Sequence, residues 1–214
     1  MNKIKVIYDV VRKMKDKDSI KGTLKVEGLK DQENILELDS VFERNEQGCQ
    51  VKGKTIIAID CDGKKMKLEN SIDFQKEGSC GHHGFHHRAH GVGIKDGCSK
   101  ITAALGILSS IKIDEKEDGA AILSLEAANI PEDVKRGIHE MIKNCHEDHK
   151  QTCCNHQHHM CMKDFHSMEN TNFTLKVFIN KGREIDKVII DVNGEQKDEK
   201  GEKHQMKLAA ELSF

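Results

Sequence analysis

Apolar and charged residues alternate one by one along much of this 214-residue chain. In 64–74, Met66, Leu68 and Ile72 share one phase, while lysines and acidic residues occupy the other. Because successive side chains of a β-strand point to opposite faces, this pattern predicts a sheet with one buried and one solvated face. Similar alternation predicts further strands at 23–29, 34–43, 55–61, 111–115, 120–127, 173–179, 185–192 and 206–214.

Turn and helix signals connect these strands. Asp62-Gly63 separates two alternating runs and is typical of a two-residue β-hairpin turn, which joins antiparallel strands. Helices are predicted at 3–15 and 99–109, where apolar residues recur every three or four positions. Another helix is predicted to begin near Pro131, because proline suits the first helical turn, and to continue to about His149.

These elements predict a single α+β domain over residues 1–214. Its antiparallel, meandering sheet is expected to form an incomplete β-barrel with helices packed on one face. The low share of hydrophobic residues, 36%, and the high share of charged residues, 33%, suit a sheet with one face in water. The tetrapeptide Thr-Leu-Lys-Val occurs at 23–26 and again at 174–177, which leaves open an internal duplication.

The element order resembles that of the LolA/LppX-like lipoprotein-carrier fold: a helix first, then a long meander of amphipathic strands, then helices laid against one face. The resemblance spans most of the chain and rests on element order and strand pattern. It implies an incomplete β-barrel covered by helices, and carriers of that family use a lined apolar cavity. No functional residue is transferred from the resemblance.

Metal donors are concentrated in two windows, 80–98 and 145–166, which hold 11 of the 13 histidines and 6 of the 8 cysteines. Imidazole and thiolate are preferred donors for zinc and other late first-row metals. Both windows fall on predicted loops, 78–97 and 150–170, where donors can turn toward one centre. The candidate ligands are Cys80, His82, His83, His86, His87, His90 and Cys98 in the first window, and Cys145, His146, His149, Cys153, Cys154, His156, His158, His159, Cys161 and His166 in the second.

The second window has the more specific arrangement. Cys145 and His149 lie four residues apart at the end of the predicted helix, so their side chains share a face. Further donors follow from Cys153 to Cys161, and a tetrahedral site needs only four ligands. The density of donors predicts metal affinity, but the spacing matches no standard zinc finger or ribbon, so it leaves the identity of the metal open, with zinc the expected ion. The number of ions and whether the two windows meet stay open.

Composition bears on other functions and on location. A net charge of −2 gives no basic field for nucleic acid, and aromatic residues are 4% of the chain, too few to favour base stacking. No stretch approaches the roughly 18 apolar residues of a membrane-spanning helix. The N-terminus lacks a signal-peptide pattern, so we expect a cytosolic protein with reduced cysteines, unless a signal peptide has been removed.

Alternatives to metal sensing, storage or buffering remain. The chain could carry a small apolar ligand or a lipoprotein, with His-rich loops as accessories, or the loops could be solvated insertions. A thiol-based or metal-dependent enzyme has less support, because the sequence lacks a P-loop, G-x-S-x-G and H-E-x-x-H. Four donors lie outside the windows. Cys49 and Cys61 are interpreted as core residues, and His139 and His204 as surface or structural residues.

Overall fold

A computed structural model describes residues 3–45, 50–61, 63–75, 104–132, 134–135, 168–198 and 201–214. Its main feature is a nine-stranded antiparallel sheet preceded by one helix, α1 (Lys3–Lys15). The strands are β1 (Ser19–Lys30), β2 (Glu33–Asn45), β3 (Gln50–Cys61), β4 (Lys64–Gln75), β5 (Lys112–Glu115), β6 (Ala121–Glu126), β7 (Glu169–Ile179), β8 (Ile185–Lys197) and β9 (Lys203–Ser213). The predicted antiparallel sheet is thus confirmed.

The strands lie in the order β4-β3-β2-β1-β9-β8-β7-β6-β5. Neighbours in the chain are neighbours in the sheet within β1–β4 and within β5–β9, so each group is a meander. The two meanders join through β1 and β9, which pair from Thr23 opposite Ser213 to Lys30 opposite Met206. The last strand therefore lies in the middle of the sheet, beside the first.

Cross-strand registers align apolar side chains into rows, as the alternation predicts. One row contains, from β6 to β4, Leu125, Leu175, Ile190, Ala210, Val26, Leu38, Ile57 and Leu68. Every member has the same phase on its strand, so the residues of the row lie on one face. This apolar face, defined by the row, extends across both meanders.

Burial is uneven along the sheet. Val6 and Val10 of α1 form a core cluster with Ala121 and Ile179 of β6 and β7. At the other end of the sheet, Leu68 and Ile72 of β4 are exposed. The best-packed described core therefore lies near β6 and β7.

The predicted helices agree with the structure where it describes them. The helix at 3–15 is α1, and 104–110 is helical within the segment predicted at 99–109. Residues 134–135 are helical after Pro131, and the remainder of that predicted helix lies outside the described residues. Within the described ranges, no helix has both the length and the apolar character needed to cross a membrane.

Candidate metal centre

The metal ligands predicted from the sequence lie outside the described residues. This applies to every candidate within 80–98 and 145–166, and also to Cys49 and His139. The backbone of Cys61 belongs to β3, as predicted, but its side chain is not among those described. The assignment of these ligands therefore stays a prediction.

Described residues after the first window and on both sides of the second share one core cluster. Val134 precedes the second window, and Phe173 follows it on β7. Ile107, in the helical segment after the first window, packs against the same cluster. A Cβ atom added at the neighbouring Gly106 would lie 2.7 Å from Val134 Cγ2, so the backbone approaches closely there. The chain before the first window is β4, at the opposite edge of the sheet from β5.

Among the described residues, Asp198, Glu202 and His204 each place one potential metal-binding atom within 4.8 Å of the others. They lie in and beside the turn between β8 and β9. Asp198 Oδ1 accepts a hydrogen bond from the backbone N–H of Glu202 at 2.7 Å, which fixes the turn. Gly201 adopts a φ of 84°, a conformation that glycine reaches without steric cost.

Asp31 contributes to the same group from the turn between β1 and β2. Its Oδ2 atom lies 2.6 Å from His204 Nδ1, and its Oδ1 accepts a hydrogen bond from the Gln205 backbone N–H at 2.8 Å. The two turns meet because β1 and β9 are neighbours in the sheet. We call Asp31, Asp198, Glu202 and His204 the hairpin cluster.

The hydrogen bond to Asp31 orients the imidazole. It is also the main reason that the pKa of Asp31 lies below its usual value, with the Gln205 N–H the next cause. An ionised carboxylate only accepts hydrogen bonds, so in the contact with ionised Asp31 it is Nδ1 of His204 that donates. Nε2 of the same ring faces Asp198 Oδ2 at 3.8 Å.

The sequence prediction missed the hairpin cluster. His204 was interpreted as a surface or structural residue because no Cys or His lies near it in the chain. The nearby signal was D-x-x-x-E-x-H, in which a turn folds the two carboxylates back toward the imidazole. Asp31 is 173 residues away from His204, so local spacing carries no sign of it.

Neither protein families nor curated proteins supply a relative from which a role could be transferred. No protein-family model matches the chain, and comparison with curated proteins finds no match. Function is therefore argued from the chain's own residues.

Proposed function

We propose that this protein binds a transition metal, zinc in the first place, through windows 80–98 and 145–166. Its role would be metal sensing, storage or buffering in the cytosol. The observation that carries the proposal is the concentration of 11 of the 13 histidines and 6 of the 8 cysteines in these windows. Imidazole and thiolate together favour zinc over hard cations such as magnesium and calcium.

The attachment of the two windows adds support. Val134 and Phe173 flank the second window and share a core cluster with Ile107, which follows the first. The end of the first window and both ends of the second thus connect to described residues near one part of the core, which favours a shared ion. Within this proposal the principal ligands are Cys145, His149, Cys153, Cys154 and Cys161.

Elemental analysis tests the proposal on full-length protein purified without a His tag or nickel column. We expect at least one zinc ion per wild-type chain and a lower content in the double variant Cys145→Ser, His149→Ala. The matched control is Cys49→Ser, His139→Ala, which removes the same residue types outside the windows and should leave the zinc content unchanged. Equal zinc in all three proteins would refute the ligand assignment, and wild type without zinc would refute the function.

A second candidate function is the transport of a small apolar ligand or a lipoprotein. It is favoured by the apolar face, on which Ile190 is 39% and Leu68 36% exposed. In this proposal the sheet is an incomplete β-barrel of the LolA/LppX-like kind, and helices cover its apolar face at the β6–β7 end. Exposed apolar area would then bind the ligand at roughly 25 cal/mol per Å² buried.

Binding of an apolar fluorescent probe separates the two candidates. A carrier should bind the probe, should lose affinity in Leu68→Gln, and should keep it when His82, His83, His86, His87 and His90 are replaced by Ala. Val41→Gln is the matched control, because Val41 is 59% exposed but has the opposite phase on β2. Absence of probe binding by wild type, or equal losses in both Gln variants, would exclude transport on this face.

A further inference from the structure

We propose that the hairpin cluster is a separate binding site for a divalent first-row cation. Asp198, Glu202 and His204 are the ligands, and Asp31 is a positioning residue that acts through the imidazole. The site differs in residues and chemistry from the two windows, because its donors are two carboxylates and one imidazole, with no thiolate.

The distances suit a shared ion. Two donors on one ion, with bonds of about 2.1 Å, lie no more than about 4.2 Å apart. His204 Nε2 and Asp198 Oδ2 are separated by 3.8 Å, which is too long for a hydrogen bond and within that limit. The third donor belongs to Glu202, which is exposed and lies within 4.8 Å of the other two. A small rotation of this side chain would bring it into bonding range.

The imidazole of His204 adds a nitrogen donor to the carboxylates of the hairpin cluster. Metal-bound histidines usually donate their second ring N–H to a carboxylate, which fixes the ring orientation and increases its basicity. The hydrogen bond of 2.6 Å between His204 Nδ1 and Asp31 has this arrangement. The side chain of His204 is also only 20% exposed, so its orientation is constrained before an ion arrives.

Lysine side chains beside the turn form ion pairs of their own. Lys197 and Lys203 flank the turn, but each forms its ion pair with a carboxylate outside the cluster. Lys197 Nζ lies 3.0 Å from Glu169 and Lys203 Nζ lies 3.2 Å from Glu195. Each of these two lysines is thus paired with a carboxylate that is not a ligand of the proposed site, and Lys30 is a further cation near Asp31. A mixed oxygen and nitrogen donor set suits Mn²⁺ and Zn²⁺.

Paramagnetic broadening by Mn²⁺ in amide NMR spectra of the full-length protein tests this site directly. We expect substoichiometric Mn²⁺ to broaden the signals of Asp31, Gly201, His204 and Gln205 in wild type. Asp198→Asn and His204→Gln should each weaken the apparent affinity at these signals at least tenfold. Signals of the two windows are read separately, so the result does not depend on whether the windows bind metal.

Glu195→Gln is the matched control, because it removes one negative charge beside the turn without removing a ligand. Its affinity should remain within about twofold of wild type. Equal weakening in Glu195→Gln and Asp198→Asn would show general attraction of cations and would overturn the site. Broadening that is absent from the turn, or unchanged in both ligand variants, would overturn it too.

The role of Asp31 is tested through the histidine ring. Asp31→Ala should weaken Mn²⁺ binding about 10–100-fold, a typical loss when such a partner is removed. It should also shift the ¹⁵N signals of His204 away from the form with the proton on Nδ1. Asp31→Asn keeps a hydrogen-bond acceptor and should recover part of both effects. An Asp31→Ala protein with wild-type affinity and ring signals would refute the positioning role.

Discussion

At the scale of single residues, the clearest electrostatic effect on the sheet surface is the ion pair between Lys54 and Glu69. Lys54 Nζ lies 2.6 Å from Glu69 Oε1, across the β3–β4 pairing. The hydrogen bond and the charge of Lys54 hold the pKa of Glu69 below its usual 4.5. The lowered pKa means that the folded state favours the ionised carboxylate, so this group binds protons less readily than in the unfolded chain.

Replacing the lysine should reveal this effect. In Lys54→Met the pKa of Glu69, measured by ¹³C NMR, should rise toward 4.5. In wild type the pair's stabilisation is present above the unfolded pKa and disappears as the pH falls through the lower folded value. The variant should therefore lose less stability over that acidic interval, by a small amount that salt reduces, because the pair is exposed.

Lys65→Met is the control for this prediction. Lys65 lies on β4, the strand of Glu69, but its contact is with Asp60, at 3.8 Å. The pKa of Glu69 should stay low in that protein. If it rose as far as in Lys54→Met, net charge rather than the specific pair would be the cause.

Gly22 of β1 lies where neighbouring atoms leave no room for a side chain. A Cβ atom there would lie 2.6 Å from Phe42 Cζ and 2.7 Å from the Ser213 carbonyl oxygen. Phe42 in turn packs edge-on against Phe214, with ring centroids 6.4 Å apart. Glycine inside a strand often marks such a close approach, and here it leaves room for an aromatic ring beside the central strands.

At the scale of elements, α1 is attached to the sheet by a narrow apolar stripe. Val6 is fully buried and Val10 is 5% exposed, whereas Val11 is 60% exposed on the same helix. Positions four apart share a helix face, so Val6 and Val10 contact the sheet together. Most of the stabilisation between this helix and the sheet should therefore come from these two valines and Met14, which packs against the same cluster.

Valine-to-alanine substitutions at a buried and an exposed position of α1 test which side chains stabilise its contact with the sheet. Val6→Ala should lower the free energy of unfolding by about 1–3 kcal/mol, because it removes buried methyl groups and leaves a cavity. Val11→Ala should change it by less than about 0.5 kcal/mol, since an exposed side chain loses little. Urea unfolding followed by circular dichroism measures both. Equal effects of the two substitutions would contradict the packing of α1 through Val6.

At the scale of the whole molecule, the described core consists mainly of apolar side chains. Its three apolar clusters include Val6, Leu36 and Leu125, and the polar side chain buried among the described residues is that of Gln196. The proposed zinc ligands of windows 80–98 and 145–166 lie elsewhere in the chain, and those of the hairpin cluster lie in and beside one turn. The sheet should therefore not require metal to stay folded.

Removal of metal tests whether the sheet stays folded without it. A chelator should leave the strand signal in far-UV circular dichroism unchanged, in contrast to a zinc finger, which unfolds without its ion. Elemental analysis of the same sample must show that the metal has been removed. Loss of the strand signal on chelation would mean that the metal site supports the sheet after all.

Much of the architecture could be predicted from the chain alone, because strand patterns are local. Each strand shows its period-two alternation within a few residues, and that alternation also identifies the side chains that share a face, as in Leu36 and Leu38 of β2. Asp62-Gly63 predicted its hairpin for a similar reason, and Gly63 has a φ of 77° in the structure. Short-range sterics and solvation are sufficient for such features.

The hairpin cluster could not be predicted in this way. The sequence by itself determined the strands, their apolar phase and the two donor-rich windows. Only the tertiary structure decided that β1 pairs with β9, and that pairing brings Asp31 to His204. The physical reason is that pairing between distant strands depends on burial and hydrogen bonding summed over the whole sheet, which no local periodicity records.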